Sequence, residues 1–100
     1  MVFMNETIDL KSDEVLNYVK LNVKEEDTLE ISYNRIFAPG EVLDVRTYEE
    51  FGEENVVVSL QLNGELVNDV VEINLNDIKD DLIEVCHITG EKETLIVVKE

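Results

Sequence analysis

The sequence predicts a mainly β protein of the α+β class, in which an N-terminal amphipathic helix precedes a five- or six-stranded antiparallel small barrel or strongly bent sheet. Three observations support this prediction. The hydrophobic pattern changes from a helical period to alternation near residue 27, valine and isoleucine supply 23 residues against one alanine, and short turn segments separate the apolar runs. Because 100 residues fit one domain, residues 1–100 are assigned to a single domain, with the helix at about 12–23 and the barrel at about 27–99.

The segment LKSDEVLNYVKLNV carries the helical pattern. Ser12 is the predicted N-cap, and Asp13 and Glu14 fall in the first turn, where the helix dipole favours anions. The apolar residues recur at a spacing that places them on one side of a helix: Val15, Leu16, Val19 and Val23. The helix is therefore expected to cover one opening or face of the barrel.

Alternation marks the strands that follow. DTLEISY places Leu29, Ile31 and Tyr33 on one face. PGEVLDVRTY begins after a Pro-Gly turn, and the three-residue spacing from Val42 to Val45 predicts a bulge. NVVVSLQL returns to strict alternation, with the inward residues being Val56, Val58, Leu60 and Leu62.

Asn63-Gly64 is a strong hairpin signal. A two-residue turn there pairs Leu60 with Val67 and Val58 with Asp69, which puts an acid on the apolar face. A bulge at Asn68-Asp69 removes the conflict and turns three further residues inward: Val71, Ile73 and Leu75. NDIKDD then predicts a short turn, followed by strand LIEVCHI, the turn TGEKET and the final strand LIVVK.

The order of these elements resembles the SH3-like and Sm-like small barrels. The resemblance covers residues 27 to 88, and DTLEISYNRIFAPGEVLDV, with Gly40 at the start of the second strand, resembles the opening of such barrels. The chain departs from both families because it has no tryptophan for an SH3 ligand groove and no basic RNA-contacting loop. As a whole, the chain is similar to a small uncharacterised acidic protein family of methanogenic archaea, a domain of unknown function, and this resemblance implies no known activity.

The formal net charge of −16, from 24 acidic and 8 basic residues, excludes some partners. Lysine and arginine supply most of the affinity for phosphate backbones, so the charge argues against a nucleic-acid partner. From Thr47 to Glu91 the only basic residue is Lys79, and the resulting potential would attract a basic protein. No segment is long and apolar enough to span a membrane, and the start lacks a signal-peptide pattern, so we expect a cytoplasmic protein.

Candidate catalytic groups are few. The single cysteine, Cys86, rules out an internal disulfide and precedes the single histidine, His87. Neighbouring strand residues point to opposite faces, so these two cannot form a catalytic pair. We expect Cys86 to be a small buried hydrophobe and His87 to be exposed or half-exposed. The four glycines are scattered as turn residues, without a phosphate-binding pattern. The sequence therefore predicts no cofactor and no enzyme.

Two acidic segments carry clustered carboxylates. Oxygen ligands that suit hard cations lie close together in NLNDIKDDLIE, the candidates being Asp77, Asp80, Asp81 and Glu84. Their spacing matches no EF-hand loop, so a capped, solvated turn is expected in place of a metal site. EEFGEEN is predicted to be a charged loop that protects the sheet edges.

The segment SYNRIFAPGEV is unusual because it combines arginine, aromatic residues and the only proline of an acidic chain. In a barrel, NRIFAPG is the long loop between the first two strands. Arginine and aromatic residues are enriched at interface hot spots, and the candidate interaction patch consists of Tyr33, Arg35, Ile36, Phe37, Arg46 and Tyr48. The structural alternative is that Phe37 plugs the barrel end while Pro39-Gly40 makes a turn.

These observations leave two classes of function. The preferred one is a non-catalytic protein–protein interaction module that binds another protein, basic or otherwise, or itself. The binding surface would be the 33–48 segment, a free edge strand or an acidic face. The alternative is a small-ligand or nucleic-acid-binding barrel with an aromatic stacking platform formed by Tyr33, Phe37, Tyr48 and Phe51. A divalent-cation-binding or enzymatic role comes third.

Overall fold

A computed structural model describes residues 4–62 and 69–100 of the chain. Within these residues, seven strands form one sheet, and two short helices and a 3₁₀ turn complete the fold. In chain order the elements are β1 (Met4–Leu10), α1 (Ser12–Asn22), β2 (Thr28–Tyr33), β3 (Ile36–Glu50), β4 (Glu53–Leu62), β5 (Val70–Asn74), α2 (Leu75–Ile78), the 3₁₀ turn (Lys79–Asp81), β6 (Leu82–Thr89) and β7 (Lys92–Val98).

The strands lie in the order β1-β7-β6-β2-β3-β4-β5. Neighbouring strands are antiparallel except β1 and β7, which are parallel. The mainly β class is thus confirmed, but the barrel is wrong: the described sheet is open, with β1 and β5 at its edges. The helix is also not the first element, because β1 precedes it. The polar sequence MNETIDL did not indicate a strand since only Ile8 and Leu10 are half-buried.

Helix α1 occupies the segment with the apolar stripe and packs on one face of the sheet. Ser12 is not the N-cap. The cap is Lys11, whose backbone N–H donates to the Glu14 carboxylate at 2.9 Å, so the acid in the first turn satisfies a free helical donor. Ser12 is buried instead, and its N–H donates to the Glu100 carboxylate at 3.1 Å.

The core lies between α1 and the facing side of the sheet. The predicted alternation of β2 is confirmed, because Leu29 and Ile31 are fully buried and Tyr33 packs at the margin. The inward residues of β4 are confirmed in the same way: Val56, Val58 and Leu60 are buried and Leu62 is half-buried. The predicted bulge is also present, as a register shift between Val42 and Asp44.

The expected long loop NRIFAPG is wrong. Only Asn34 and Arg35 connect β2 to β3, and Pro39 and Gly40 lie within β3. Gly40 is required by close approach, since a Cβ there would lie 2.6 Å from the Gln61 carbonyl oxygen. Pro39 is tolerated because the pairing between β3 and β4 begins at Gly40 among the described residues, and the Pro39 nitrogen faces away from β2.

The two-residue hairpin register predicted for β4 and β5 is also wrong. Leu60 pairs with Val71 and Val58 with Ile73, in each case four residues beyond the predicted partner. Asn63-Gly64 and Asn68 lie outside the described residues. The predicted inward direction of Ile73 and Leu75 is confirmed by their burial. NDIKDD, residues 76–81, forms most of α2 and the whole 3₁₀ turn.

Candidate protein-interaction surface

The β3–β4 hairpin ends in an exposed segment that contributes nothing to the core. We define the acidic hairpin tip as residues Glu49–Glu54, all of which are exposed. Phe51, at its end, has 99% of its surface exposed. Residues Asn55–Leu60 of β4 are buried, so the tip extends beyond the packed part of the sheet.

The backbone at the tip is unfavourable for the residue it carries. Phe51 has φ of 53° and Gly52 has φ of 76°. Two-residue hairpin turns with positive φ at both positions favour Asn-Gly, and a bulky side chain in this region costs about 1–2 kcal/mol. Because the Phe51 ring is fully exposed, no packing contact offsets this conformational cost. Folding therefore gives no reason for phenylalanine at this position.

Four glutamates surround Phe51, and they fall into two groups. Glu54 forms an ion pair with Lys20 of α1 at 2.7 Å, and Glu53 lies 3.6 Å from the Lys79 ammonium. These contacts attach the base of the tip to the helical side of the molecule. Glu49 and Glu50 form no ion pair with any described residue, so they add uncompensated negative charge beside the ring.

The structure divides the interaction patch predicted from the sequence. Arg35, Ile36 and Phe37 remain together at the β2–β3 turn, where Ile36 and Phe37 are 51% and 59% exposed. Tyr33 instead packs against the core. The turn is attached to the 3₁₀ turn because the Asn34 N–H donates to the Asp81 carbonyl at 3.0 Å.

Arg46 and Tyr48 lie far from that turn. At about 3.3 Å per strand residue, Tyr48 is on the order of 35 Å from Phe37 along β3. Arg46 is engaged by Asp44 at 3.3 Å and Glu72 at 2.8 Å, and the Tyr48 hydroxyl accepts a hydrogen bond from Asn74. The same distance separates the aromatic residues of the alternative stacking platform, so Phe37 does not converge with Tyr48 and Phe51.

His87 lies inside the molecule, contrary to the prediction that it is exposed. It is 3% exposed, its Nδ1 lies 2.8 Å from the Tyr18 hydroxyl, and its Nε2 lies 2.8 Å from an Asp27 carboxylate oxygen. Register explains the error: His87 pairs with Leu29, on the face that packs against α1. The three side chains connect β6, α1 and the loop before β2.

Asp27 is ionised within this cluster. Burial opposes the charge and would raise the pKa of Asp27, but hydrogen bonds from His87 and from the Lys24 N–H outweigh it and hold the pKa below the usual value. The ionised carboxylate therefore accepts the hydrogen bond that His87 Nε2–H donates. Nδ1, on the other side of the ring, forms a hydrogen bond with the Tyr18 hydroxyl.

Cys86 lies on the opposite face of β6 and is buried, as predicted. Its thiol donates to the Glu93 carboxylate at 3.1 Å. Burial, with a further contribution from Glu93, raises the pKa of Cys86 to about 12. A thiol with this pKa is protonated at neutral pH, which makes it a poor nucleophile.

The acidic segment around the 3₁₀ turn does not assemble a cation site. Asp77, Asp80, Asp81 and Glu84 are exposed and lie on three successive elements. Within residues 4–62 and 69–100, no group of three or more acidic, histidine or cysteine side chains is arranged to hold a metal ion. Nor does that part of the chain contain a helix with the length and apolar character needed to cross a membrane.

Comparison with known proteins identifies one relationship. A family model described as "Uncharacterized protein conserved in archaea (DUF2097)" matches residues 6–97. No curated protein and no solved structure matches the sequence significantly.

Proposed function

The chain belongs to this family of uncharacterized archaeal proteins, as its whole-chain resemblance predicted, and we propose that it is a non-catalytic cytoplasmic interaction module whose acidic hairpin tip binds a basic partner protein. The family supplies no activity, so the proposal depends on the geometry of the surface. One observation carries it: a fully exposed phenylalanine occupies a turn position that favours asparagine.

The exposed ring indicates what the partner offers. A phenylalanine side chain gains stabilisation when it enters an apolar pocket, and isolated aromatic anchors of this kind dominate many interfaces. Such a pocket on the partner would remove from water a ring that is 99% exposed in the free protein. The ordered hairpin presents this ring without a loop having to fold on binding, which lowers the entropic cost of association.

The charge around the ring indicates the charge that the partner's binding surface would carry. Glu49 and Glu50 flank Phe51 without ion pairs among the described residues, and the whole chain carries a net charge of −16. A pocket rimmed by lysine and arginine would complement this surface and would be approached faster at low salt. The same charge disfavours nucleic acid as the ligand of the tip.

The β2–β3 turn is the second surface, since Ile36 and Phe37 are also exposed there. It ranks below the tip for two reasons. Its backbone places no bulky residue at positive φ, because Asn34 occupies that position. Its predicted extension to Arg46 and Tyr48 is broken by their distance and by their contacts within the chain.

The test is affinity capture from a native archaeal lysate at low salt, with the protein as bait in three forms. These are the unchanged chain, Phe51→Asn, and Arg35→Ala/Phe37→Ala as a matched surface control. We expect a basic protein to be retained by the first and third baits, lost from Phe51→Asn, and eluted by rising salt. Retention that survives Phe51→Asn but is lost in the control would move the contact to the β2–β3 turn. Equal retention by all three baits would overturn both assignments.

A further inference from the structure

Strand β1 exposes one edge of the sheet, and its hydrogen-bonding groups alternate in direction. The Met4 N–H donates to the Glu91 carbonyl at 3.1 Å, and the Leu10 carbonyl accepts from the Lys99 N–H at 2.8 Å. Alternation along a strand therefore directs the backbone groups of Asn5, Thr7 and Asp9 away from β7. Within the described part of the chain, β1 pairs only with β7, so these outward groups are free to bind another strand.

The charges on β1 are neutralised within the chain. Glu6 lies 3.5 Å from the Lys92 ammonium, and Asp9 lies 3.4 Å from the Lys99 ammonium. Both lysines belong to β7 or the residue after it. This edge therefore lacks the uncompensated negative charge of the hairpin tip, and a second acidic chain can approach it at lower electrostatic cost.

Apolar surface continues from this edge towards the helix. Met4 is 62% exposed, and a groove of about 430 Å³ lies between β1 and α1, with Ile8, Leu10, Tyr18 and Leu21 among its lining residues. Met4, Ile8 and Leu10 share the face of β1 that looks towards the helix, because they are separated by even numbers of residues. An added strand would extend this apolar strip.

We propose that β1 pairs antiparallel with β1 of a second copy, with Thr7 on the twofold axis. In this register Thr7 exchanges backbone hydrogen bonds with Thr7 of the second copy, and Asn5 does so with Asp9. The side chains then match: the two threonines face each other, the asparagine amide faces the aspartate, and Met4 packs against Leu10 of the second copy. Both copies of α1 lie on the same face of the joined sheet.

Charge and length select this register from its neighbours. Centring the pair on Glu6 would place two glutamates directly opposite each other, which is destabilising. Centring it on Ile8 would leave Met4 without an opposing residue. The register centred on Thr7 pairs every residue of Met4–Leu10 and opposes no like charges.

The dimer inference does not depend on the proposed function, and the two differ in how they respond to salt. Two chains of net charge −16 repel each other, and salt screens that repulsion, so dimer formation strengthens as salt rises. Binding of a basic partner by the hairpin tip weakens under the same change. Phe51→Asn is expected to leave the dimer unaffected.

The first experiment measures the mass of the protein by light scattering. The measurement covers a range of protein concentrations, at about 0.05 M and about 0.5 M NaCl. We expect twice the chain mass of 11.5 kDa at high salt, a return towards 11.5 kDa on dilution, and monomer only for Thr7→Pro. The proline removes an outward N–H and leaves the pairing with β7 unchanged. Thr7→Val keeps that N–H and is the matched control that stays dimeric.

A cross-linking measurement keeps the test valid even if the proline variant does not fold. In a Cys86→Ser background, Thr7→Cys places two thiols across the twofold axis at a Cα separation of about 5.5 Å, which suits a disulfide. Mild oxidation should therefore link Thr7→Cys chains and leave Asn5→Cys chains unlinked, because two copies of position 5 lie far apart in this register. Two results would overturn the proposal: a monomer at every salt and protein concentration, or equal cross-linking of both cysteine variants. Either result is also what we would observe if this edge binds a strand of another protein.

Discussion

The Tyr18 hydroxyl lies 2.8 Å from Nδ1 of His87, although 69 residues separate the two in the chain. Their rings also meet edge to face, with centroids 5.6 Å apart. His87 in turn donates to Asp27, so one buried imidazole joins the helix, the sheet and the loop between them. Both nitrogens of the imidazole therefore form hydrogen bonds, and the cluster stabilises the tertiary contact between these elements.

Tyr18→Phe is expected to lower the free energy of unfolding by about 1–3 kcal/mol, because it leaves Nδ1 of a buried histidine without a partner. Urea denaturation at pH 7 measures the change. Tyr48→Phe is the control. The hydroxyl of this exposed tyrosine binds Asn74 and no other described residue, so its removal should cost less than about 0.5 kcal/mol. Equal effects of the two substitutions would show that the hydrogen bond between Tyr18 and His87 does not stabilise the fold.

Stability should fall in acid through Asp27. Its pKa is below the ordinary value of 3.8 in the folded protein, so its contribution is complete above that value and is lost as pH falls through the lower, folded pKa. Urea midpoints measured from pH 6 downwards should show Asp27→Asn less stable than the natural chain near pH 6, with the difference shrinking in acid. A difference that does not change with pH would contradict an ionised Asp27.

Phe51→Asn should stabilise the fold while removing the proposed contact. Asparagine adopts positive φ at lower cost, so a gain of about 1 kcal/mol is expected, which raises Tm by about 4–8 °C. Thermal unfolding followed by circular dichroism measures it. Phe51→Ala removes the ring but retains the unfavourable backbone, so its Tm should stay near that of the natural chain. A lower Tm for Phe51→Asn would mean that the ring packs in solution.

Cys86 should react slowly with alkylating reagents. With a pKa of about 12, its thiolate population at pH 8 is about a thousandfold below that of an ordinary thiol. Mass spectrometry of the native protein with iodoacetamide measures the rate. Glu93→Gln removes a neighbouring negative charge and should accelerate alkylation, with urea-unfolded protein as the reference for full reactivity. A native rate equal to the unfolded rate would contradict the buried, protonated thiol.

Gly40→Ala should be the most damaging of the glycine substitutions in the described strands and turns. Its Cβ would meet a backbone carbonyl of β4 at 2.6 Å, so the strands must separate, at a cost of about 3 kcal/mol. Gly52→Ala has open space around it and meets only the cost of positive φ, about 1 kcal/mol. Comparison of their urea midpoints tests this order, and a reversed order would place Gly40 in a more open site than the structure does.

Residues with local signals were predicted correctly from the sequence. Leu29, Ile31, Val58 and Leu60 are buried because alternation with one apolar face is a property of the strand itself. His87 was misplaced because its burial depends on two partners 60 and 69 residues away, which no local pattern reveals. The sequence places Phe51 in a charged loop and in an aromatic platform, because sequence alone does not show that its turn adopts positive φ. β1 was missed because a polar edge strand has too few buried residues to produce alternation.

The pairing of β1 with β7 has a consequence for the order in which the sheet forms. Met4 pairs with Lys92, so this pairing joins residues 88 positions apart in the sequence. Contacts between residues far apart in the chain form late, because the entropy of closing a long loop must be lost before the contact is made. β7 lies between β1 and β6 in the sheet, so β1 is expected to join after β7 has paired with β6, and loss of β7 would leave β1 and β6 without a shared partner.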